Sequence, residues 1–310
     1  MTWEYASPWA GASILSFASA NDKFLQEIDR ETLKEFAHLE ANVPEAAVMY
    51  CPGVEYIDLP DAPGEDSMWV RDLYNEFSVI PQSELPAGAS SGYHFSTFTA
   101  SVPQYLAWLI SQLTKLGGRL EQGEFKSLSE LIDKYHNATI VVNCSGLGSS
   151  RLTDVKDTTM YPIRGQTVLV HAPHVKKQLY RTGKGYFTYI IPRKDGNVIC
   201  GGTLDAENRS TVPDDELTKE ILKRCYELYP DITHGKGPDA FDIVAVNVGF
   251  RPGRQQGIRI EKEIIRRPNN KKVVVCHNYG HGSHGYQSSW GSSARVLQLL
   301  GDNNDRSSKL

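Results

Sequence analysis

The chain has 310 residues, 40% of them hydrophobic, and a formal net charge of −4. That length buries a large core, as two lobes or one large α/β unit. The mildly acidic balance gives no electrostatic attraction to nucleic acid or to an anionic membrane. No run of about 18 apolar residues occurs, so no membrane-spanning helix is expected, and the first residues do not read as a secretory signal. Cys51, Cys144, Cys200, Cys225 and Cys276 are scattered without any C-x-x-C. That usage favours free thiols in a reducing compartment over a disulfide or zinc framework.

In chain order, Ala6–Ala12 (ASPWAGA) sets small residues around a proline and a tryptophan. Such backbone suits close packing against a flat ligand, or a tight core turn. Asp22–Leu39 has the spacing of an amphipathic helix, with Phe24, Leu25, Ile28, Leu33 and Phe36 on one face and Ser19 or Asn21 as cap. Residues 43–96 are rich in proline, glycine and aromatics, which predicts loops and irregular sheet with short strands near Val48–Tyr50 and Phe77–Ile80. Val102–Leu116 is a second apolar-faced helix stopped by Gly117-Gly118, and Ser127–Tyr135 a shorter one. Thr139–Asn143 (TIVVN) reads as a buried strand running into the turn Cys144–Gly148.

Thr167–Val170, Tyr186–Pro192 and Asn197–Thr203 read as strands, the last two joined by a Lys194-Asp195-Gly196 turn. Asp214–Tyr229 is a helix, and Val244–Arg254 (VAVNVGFRPGR) a strand ending in two arginines. In Lys271–Gly301 a β-branched run, Val273–Val275, leads through Gly280, Gly282 and Gly285 into a helix over Ser292–Leu300, with Ala294, Val296, Leu297 and Leu300 on one face. A strand that turns through glycines into a helix aims backbone N–H groups at whatever sits above the turn. GHGSHG satisfies G-x-G-x-x-G, but the dinucleotide fingerprint also needs an acid about 20 residues later. Here the chain ends first, so an ordinary strand–loop–helix stays open.

Arg251, at the end of an apolar strand, must find an anion or reach solvent. It suits two parallel hydrogen bonds to a carboxylate, and a structural salt bridge equally. The Tyr189 hydroxyl could add a third hydrogen bond to the same carboxylate, or the ring could serve the core. His277, His281 and His284 lie in a glycine loop with only Cys276 to join them, so no metal is expected. No nucleophile elbow, Walker loop or H-E-x-x-H helix is present, and a redox cofactor is expected to carry the chemistry. The C-terminal Ser308-Lys309-Leu310 is the peroxisomal address read by an import receptor, placing the protein in the peroxisome matrix.

Six motifs, SPWAGA, VVNCSGLG, YPIRGQTVLV, TYIIPR with VICGGT, NVGFRPGR and HNYGHGSHGYQSSWG, stand in the order found in the D-amino-acid oxidase family, which the whole chain resembles. The resemblance implies an α/β fold. Its FAD-binding domain is of the glutathione-reductase type (residues 1–20, 97–163 and 251–310), interleaved with a substrate domain built on a large mixed sheet (21–96 and 164–250). It also implies oxidation of a D-amino acid by hydride transfer from Cα to FAD, giving a 2-oxo acid, ammonia and, from O₂, hydrogen peroxide. No general base is then required. A homodimer is compatible with the resemblance.

Matched residue by residue, Arg251 binds the substrate carboxylate and Tyr189 is an active-site tyrosine. Ser283 and Gln287 line the site beside the flavin. FAD contacts fall on Ser7, Gly11, Ala12, Ser13, Asn143, Ser145, Gly146, Gly280, Gly282, Ser283, Gly285, Tyr286 and Gln287. Family members carry a βαβ unit of on the order of 30 residues before the SPWAGA-like segment, and only Met1–Tyr5 stands there in this chain. The expectation is weak FAD affinity and poor stability, with hydrophobic sheet edges exposed. Leu204 follows GGT, where some relatives carry tyrosine or arginine, which favours neutral substrates. Arg181 stands about where D-aspartate oxidases hold the side-chain carboxylate, so acidic D-amino acids are the alternative. An inactive remnant unable to hold FAD is a second alternative, and an NAD-dependent dehydrogenase fits poorly.

Overall fold

A computed structural model describes residues 4–60, 69–267 and 271–301; Ser308, Lys309 and Leu310 lie outside them. The helices are α1 (Lys23–Asn42), α2 (Val102–Lys115), α3 (Leu128–Lys134), α4 (Asp215–Leu228) and α5 (Ser289–Gly301). The strands are β1 (Val48–Ile57), β2 (Asn75–Val79), β3 (Ser91–Ala100), β4 (Ile140–Asn143), β5 (Met160–His171), β6 (Gln178–Gly183), β7 (Tyr186–Pro192), β8 (Asn197–Gly201), β9 (Ile243–Arg254), β10 (Arg259–Arg266) and β11 (Lys272–Tyr279).

Eight strands form one mixed sheet in the order β2-β3-β1-β6-β7-β8-β5-β9, and three form a second, β10-β11-β4. In the large sheet only β1 and β6 run parallel; the other pairs are antiparallel. Its central strands are buried on both faces, which is why they read as unbroken apolar runs. Ile190, Val198 and Cys200 face α4 through Ile221, Leu222 and Cys225. Their neighbours Tyr189, Ile191 and Ile199 face the opposite way, onto Leu15, Tyr93, Phe95 and Tyr180. A third cluster sets Phe36 and Leu39 of α1 against Val48, Phe98 and Tyr105, and a fourth seals the small sheet under α3. Each large apolar side chain so buried contributes about 1.5–3 kcal/mol.

Residues 43–96 are more regular than their composition predicts. β1 and β3 pair in register over their whole length, from Val48↔Ala100 to Ile57↔Ser91. Pro52 is tolerated because pairing of β1 with β6 begins only at Gly53, so the missing N–H falls before that ladder. The α1 cap is Asp22, whose carboxylate accepts from the Leu25 N–H at 3.0 Å, in place of Ser19 or Asn21. Phe24 and Leu297, both assigned by spacing to apolar faces, are exposed. β6 and β10 were not legible as strands. In the small sheet β4 is an edge strand, with Ile140 and Val142 49% and 43% exposed.

Candidate active site

Tyr189 on β7 and Arg251 on β9 meet across the large sheet. Burial pushes the tyrosine hydroxyl's pKa up, and the positive charge of the nearby Arg251 guanidinium offsets part of that shift. Both side chains lie flat because glycines lie beneath them. A Cβ at Gly165 would come within 2.2 Å of Arg251 Nη1, and one at Gly201 or Gly202 within 2.2 Å of the Tyr189 ring. Arg251 Nη1 also donates to the Thr203 carbonyl at 3.0 Å. The guanidinium has no carboxylate partner among the described ion pairs, so it is available to an incoming anion.

Two turns converge on the end of β9. After β11, Gly280 and Gly282 take φ of +87° and +56°, which glycine adopts without strain, and the Gly282 N–H donates to the Pro252 carbonyl at 2.9 Å. After β4, Gly146 (φ +55°) rests on Pro252. Asn143 shapes this turn: its Oδ1 accepts from Ser145 N at 3.1 Å, and its amide lies 3.1 Å from His277 Nδ1. Ser283 and Gly285 are exposed while Gln287 is buried.

The N-terminal segment runs alongside. The Tyr286 hydroxyl donates to Ser7 O at 3.1 Å, the Ala12 carbonyl accepts from Ala100 N at 3.0 Å, and Ser13 bridges to Thr99. Arg193, just past β7, is 5% exposed and donates to Gly11 O and Ala10 O, each at 2.7 Å. Burial lowers its pKa and Asp195 opposes that shift. A buried cation bound to two successive carbonyls fixes the path of Ala10–Ala12.

Phe17, Phe187 and His284 complete the wall, with Phe17 5.4 Å from the His284 ring and Phe187 5.4 Å from Tyr189. Burial lowers the pKa of His281 to about 4 and also lowers that of His284. Among the described residues no group of three or more His, Cys, Asp or Glu could hold a metal ion. Leu204 is exposed. Arg181 is engaged elsewhere: its Nε donates to Asp58 at 2.9 Å, its Nη2 to Ala87 O at 2.7 Å, and Tyr186 donates to the same carboxylate.

A family model described as "FAD dependent oxidoreductase" (DAO) matches residues 5–299. The chain belongs to this family. It is 38% identical over 304 residues to a D-amino-acid oxidase of Schizosaccharomyces pombe, covering 96% of this chain and 84% of the relative. It is 31% identical to a D-aspartate oxidase of Talaromyces thermophilus, over 96% of this chain and 79% of the relative. Glycine oxidase from Geobacillus kaustophilus shares the fold, with a TM-score of 0.69 at 17% identity over 98% of this chain and 86% of that one.

The residues present fit FAD. Gly282 and Gly285 leave open space where a Cβ would meet no protein atom within 4 Å, so a ligand can approach the backbone. Trp9 Nε1 is buried without a hydrogen-bond partner among the described residues. Sequence reasoning named Arg251, Tyr189 and both turns, and did not name Arg193, Phe17, Phe187 or the glycines under the pair, which lie beside them here. Gly165, Gly201 and Gly202 carried a usable signal, being glycines within or directly abutting strands rather than in turns.

Proposed function

We propose that this oxidoreductase converts a neutral D-amino acid, O₂ and water to a 2-oxo acid, ammonia and hydrogen peroxide. The observation that carries the reading is the Tyr189–Arg251 pair, a hydroxyl and a cation without a carboxylate partner among the described ion pairs, within electrostatic reach of each other. Arg251 directly precedes the Pro252 on which both glycine turns close. Arg251 binds the substrate carboxylate with two N–H donors, and the Tyr189 hydroxyl adds a third. Ser283, Gln287, Gly280, Gly282, Gly285 and Tyr286 on one turn, Asn143, Ser145 and Gly146 on the second, and Ser7, Gly11, Ala12 and Ser13 along the N-terminal segment would hold FAD. Bound FAD supplies the acceptor for the α-hydrogen and its electron pair. The chain's contribution is orientation: a carboxylate fixed at Arg251 sets which face of Cα is presented. Phe17 and Phe187 wall the site with apolar surface, which suits an uncharged side chain.

The neutral preference is supported by Arg181, already neutralised by Asp58. The D-aspartate reading is favoured by the T. thermophilus relative. Turnover of D-alanine and D-aspartate, in wild type and Arg181→Ala, separates the two: a D-aspartate preference abolished by that change overturns the neutral reading. Ser308-Lys309-Leu310 supports delivery to the peroxisome by an import receptor, and a fluorescent fusion that still enters peroxisomes without these residues would contradict it. A homodimer belongs to the same reading and is tested by sedimentation.

A further inference from the structure

We propose that Asp29 on α1 is a positioning residue that holds two site-forming segments, Gly11–Ala18 and Gly280–Ser288, in register with each other. Its carboxylate is 3% exposed and has no cationic partner among the described ion pairs. Instead it accepts from two hydroxyls on segments far apart in the chain. One oxygen accepts from Ser16 Oγ, and the other from Ser288 Oγ at 2.8 Å. Ser16 lies four residues past Ala12, and Ser288 directly follows the buried Gln287. A single side chain thus spans the two segments between which the cofactor and substrate would sit.

The frame around it is stiff. Thr32, about one helical turn on from Asp29, accepts from the Gly291 N–H at 2.9 Å while donating to the Ile28 carbonyl at 3.0 Å. A Cβ at Gly291 would fall 2.0 Å from the Ile28 oxygen, so α1 and α5 are in backbone contact there. The Ser16 backbone N–H donates to the Tyr74 hydroxyl, and Ser16 Oγ accepts from Ala18 N at 3.2 Å. Burial raises the Asp29 pKa to about 6, the Ser16 and Ser288 hydrogen bonds lower it, and Asp22 raises it further. Burying a carboxylate without a cation is costly, and hydrogen bonds to the charged form are what offset that cost. A merely structural role would be met as well by an apolar side chain, whereas this carboxylate is matched to two serines that each border a site segment.

The kinetic part of the test rests on the D-amino-acid reading; the exchange part does not. Asp29→Ala, Asp29→Asn and, as a control on the same helix, Gln26→Ala are compared. Gln26 is about as buried, but its side chain bonds to the Ser19 carbonyl and to Lys23, neither of them in a site segment. In Asp29→Ala, amide hydrogen exchange should quicken in residues 11–18 and 280–288 together. The rate of flavin reduction at saturating D-amino acid should fall about tenfold, with the half-saturating concentration little changed. Asp29→Asn, which keeps one acceptor and one donor, should recover most of both losses, and Gln26→Ala should show neither. If Asp29→Ala does not fold, the Ser16→Ala/Ser288→Ala double variant takes its place with the same expectations. Exchange unchanged in either segment, or a loss shared equally by Gln26→Ala, would overturn the proposal. Wild type that no D-amino acid reduces would sink the functional reading and leave the exchange result to decide this one.

Discussion

Tyr189 and Arg251 stand on strands separated by two others, β8 and β5, yet the tyrosine hydroxyl lies within electrostatic reach of the guanidinium. Neighbouring strands are about 4.8 Å apart, so roughly 14 Å of sheet lies between the two backbones. The side chains close that gap only by lying along the sheet, over Gly201 and Gly202 on one side and Gly165 on the other. The placement of this pair is therefore written partly in residues that have no side chain.

Gly165→Ala tests this directly. Its Cβ would sit 2.2 Å from Arg251 Nη1, the far end of a flexible side chain, so the guanidinium should move rather than the strand unfold. The expected result is a KM for D-amino acid raised about tenfold or more, with Tm nearly unchanged. A variant with wild-type KM would show that the glycine floor is not needed.

Arg251→Lys should behave almost as badly as Arg251→Ala, because one ammonium cannot reproduce two parallel donors. Truncating one partner of a desolvated charge pair costs about 2–5 kcal/mol, roughly 30-fold or more in KM. The check is steady-state KM for D-alanine in both variants. A lysine variant within threefold of wild type would contradict bidentate binding.

Arg181→Ala should leave the D-alanine kinetics intact and lower stability. Arg181 and Asp58 are one-quarter and one-seventh exposed, and removing the cation leaves the carboxylate, among the described residues, with only the Tyr186 hydroxyl as side-chain donor. Thermal unfolding beside D-alanine turnover reads both. A D-alanine KM shifted by more than threefold would place Arg181 in the site after all.

Asp157 should contribute an acid limb to stability. Burial would raise its pKa, but hydrogen bonds from Thr159, Arg254 and Tyr279 hold it well below the ordinary carboxylate value. Because the folded-state pKa is depressed, the stabilisation is present above about pH 4 and is lost as pH falls toward the folded value. Asp157→Asn breaks the 2.8 Å bridge to Arg254 and should cost about 3 kcal/mol near neutrality. It should also flatten the decline of Tm between about pH 5 and 3. An unaltered acid profile would show that Asp157 does not carry it.

How much of this was legible in the sequence follows from where the information sits. The β-branched run before Gly280 and the arginine ending β9 announce themselves locally, because period and punctuation are local properties. Arg193 and Asp29 do not. In sequence each is one charged residue among many, and its role arises from carbonyls and hydroxyls brought in from distant segments: Gly11 O for Arg193, Ser16 and Ser288 for Asp29. The length of β1 was hidden for a similar reason: the expected strand near Val48–Tyr50 runs on to Ile57, past Pro52, which reads as a breaker until the late start of the β6 ladder is known. Arg181 shows the converse. Its sequence position suggested a ligand, and only the tertiary partner Asp58 shows the charge already matched.

The measurement that tests the account most directly is anaerobic mixing of the FAD-saturated protein with D-alanine, L-alanine or D-aspartate while the flavin's visible absorbance is followed. The account predicts rapid bleaching by D-alanine, slower bleaching by D-aspartate and none by L-alanine. Flavin that stays oxidised with every D-amino acid, or that bleaches as readily with the L-form, would contradict it.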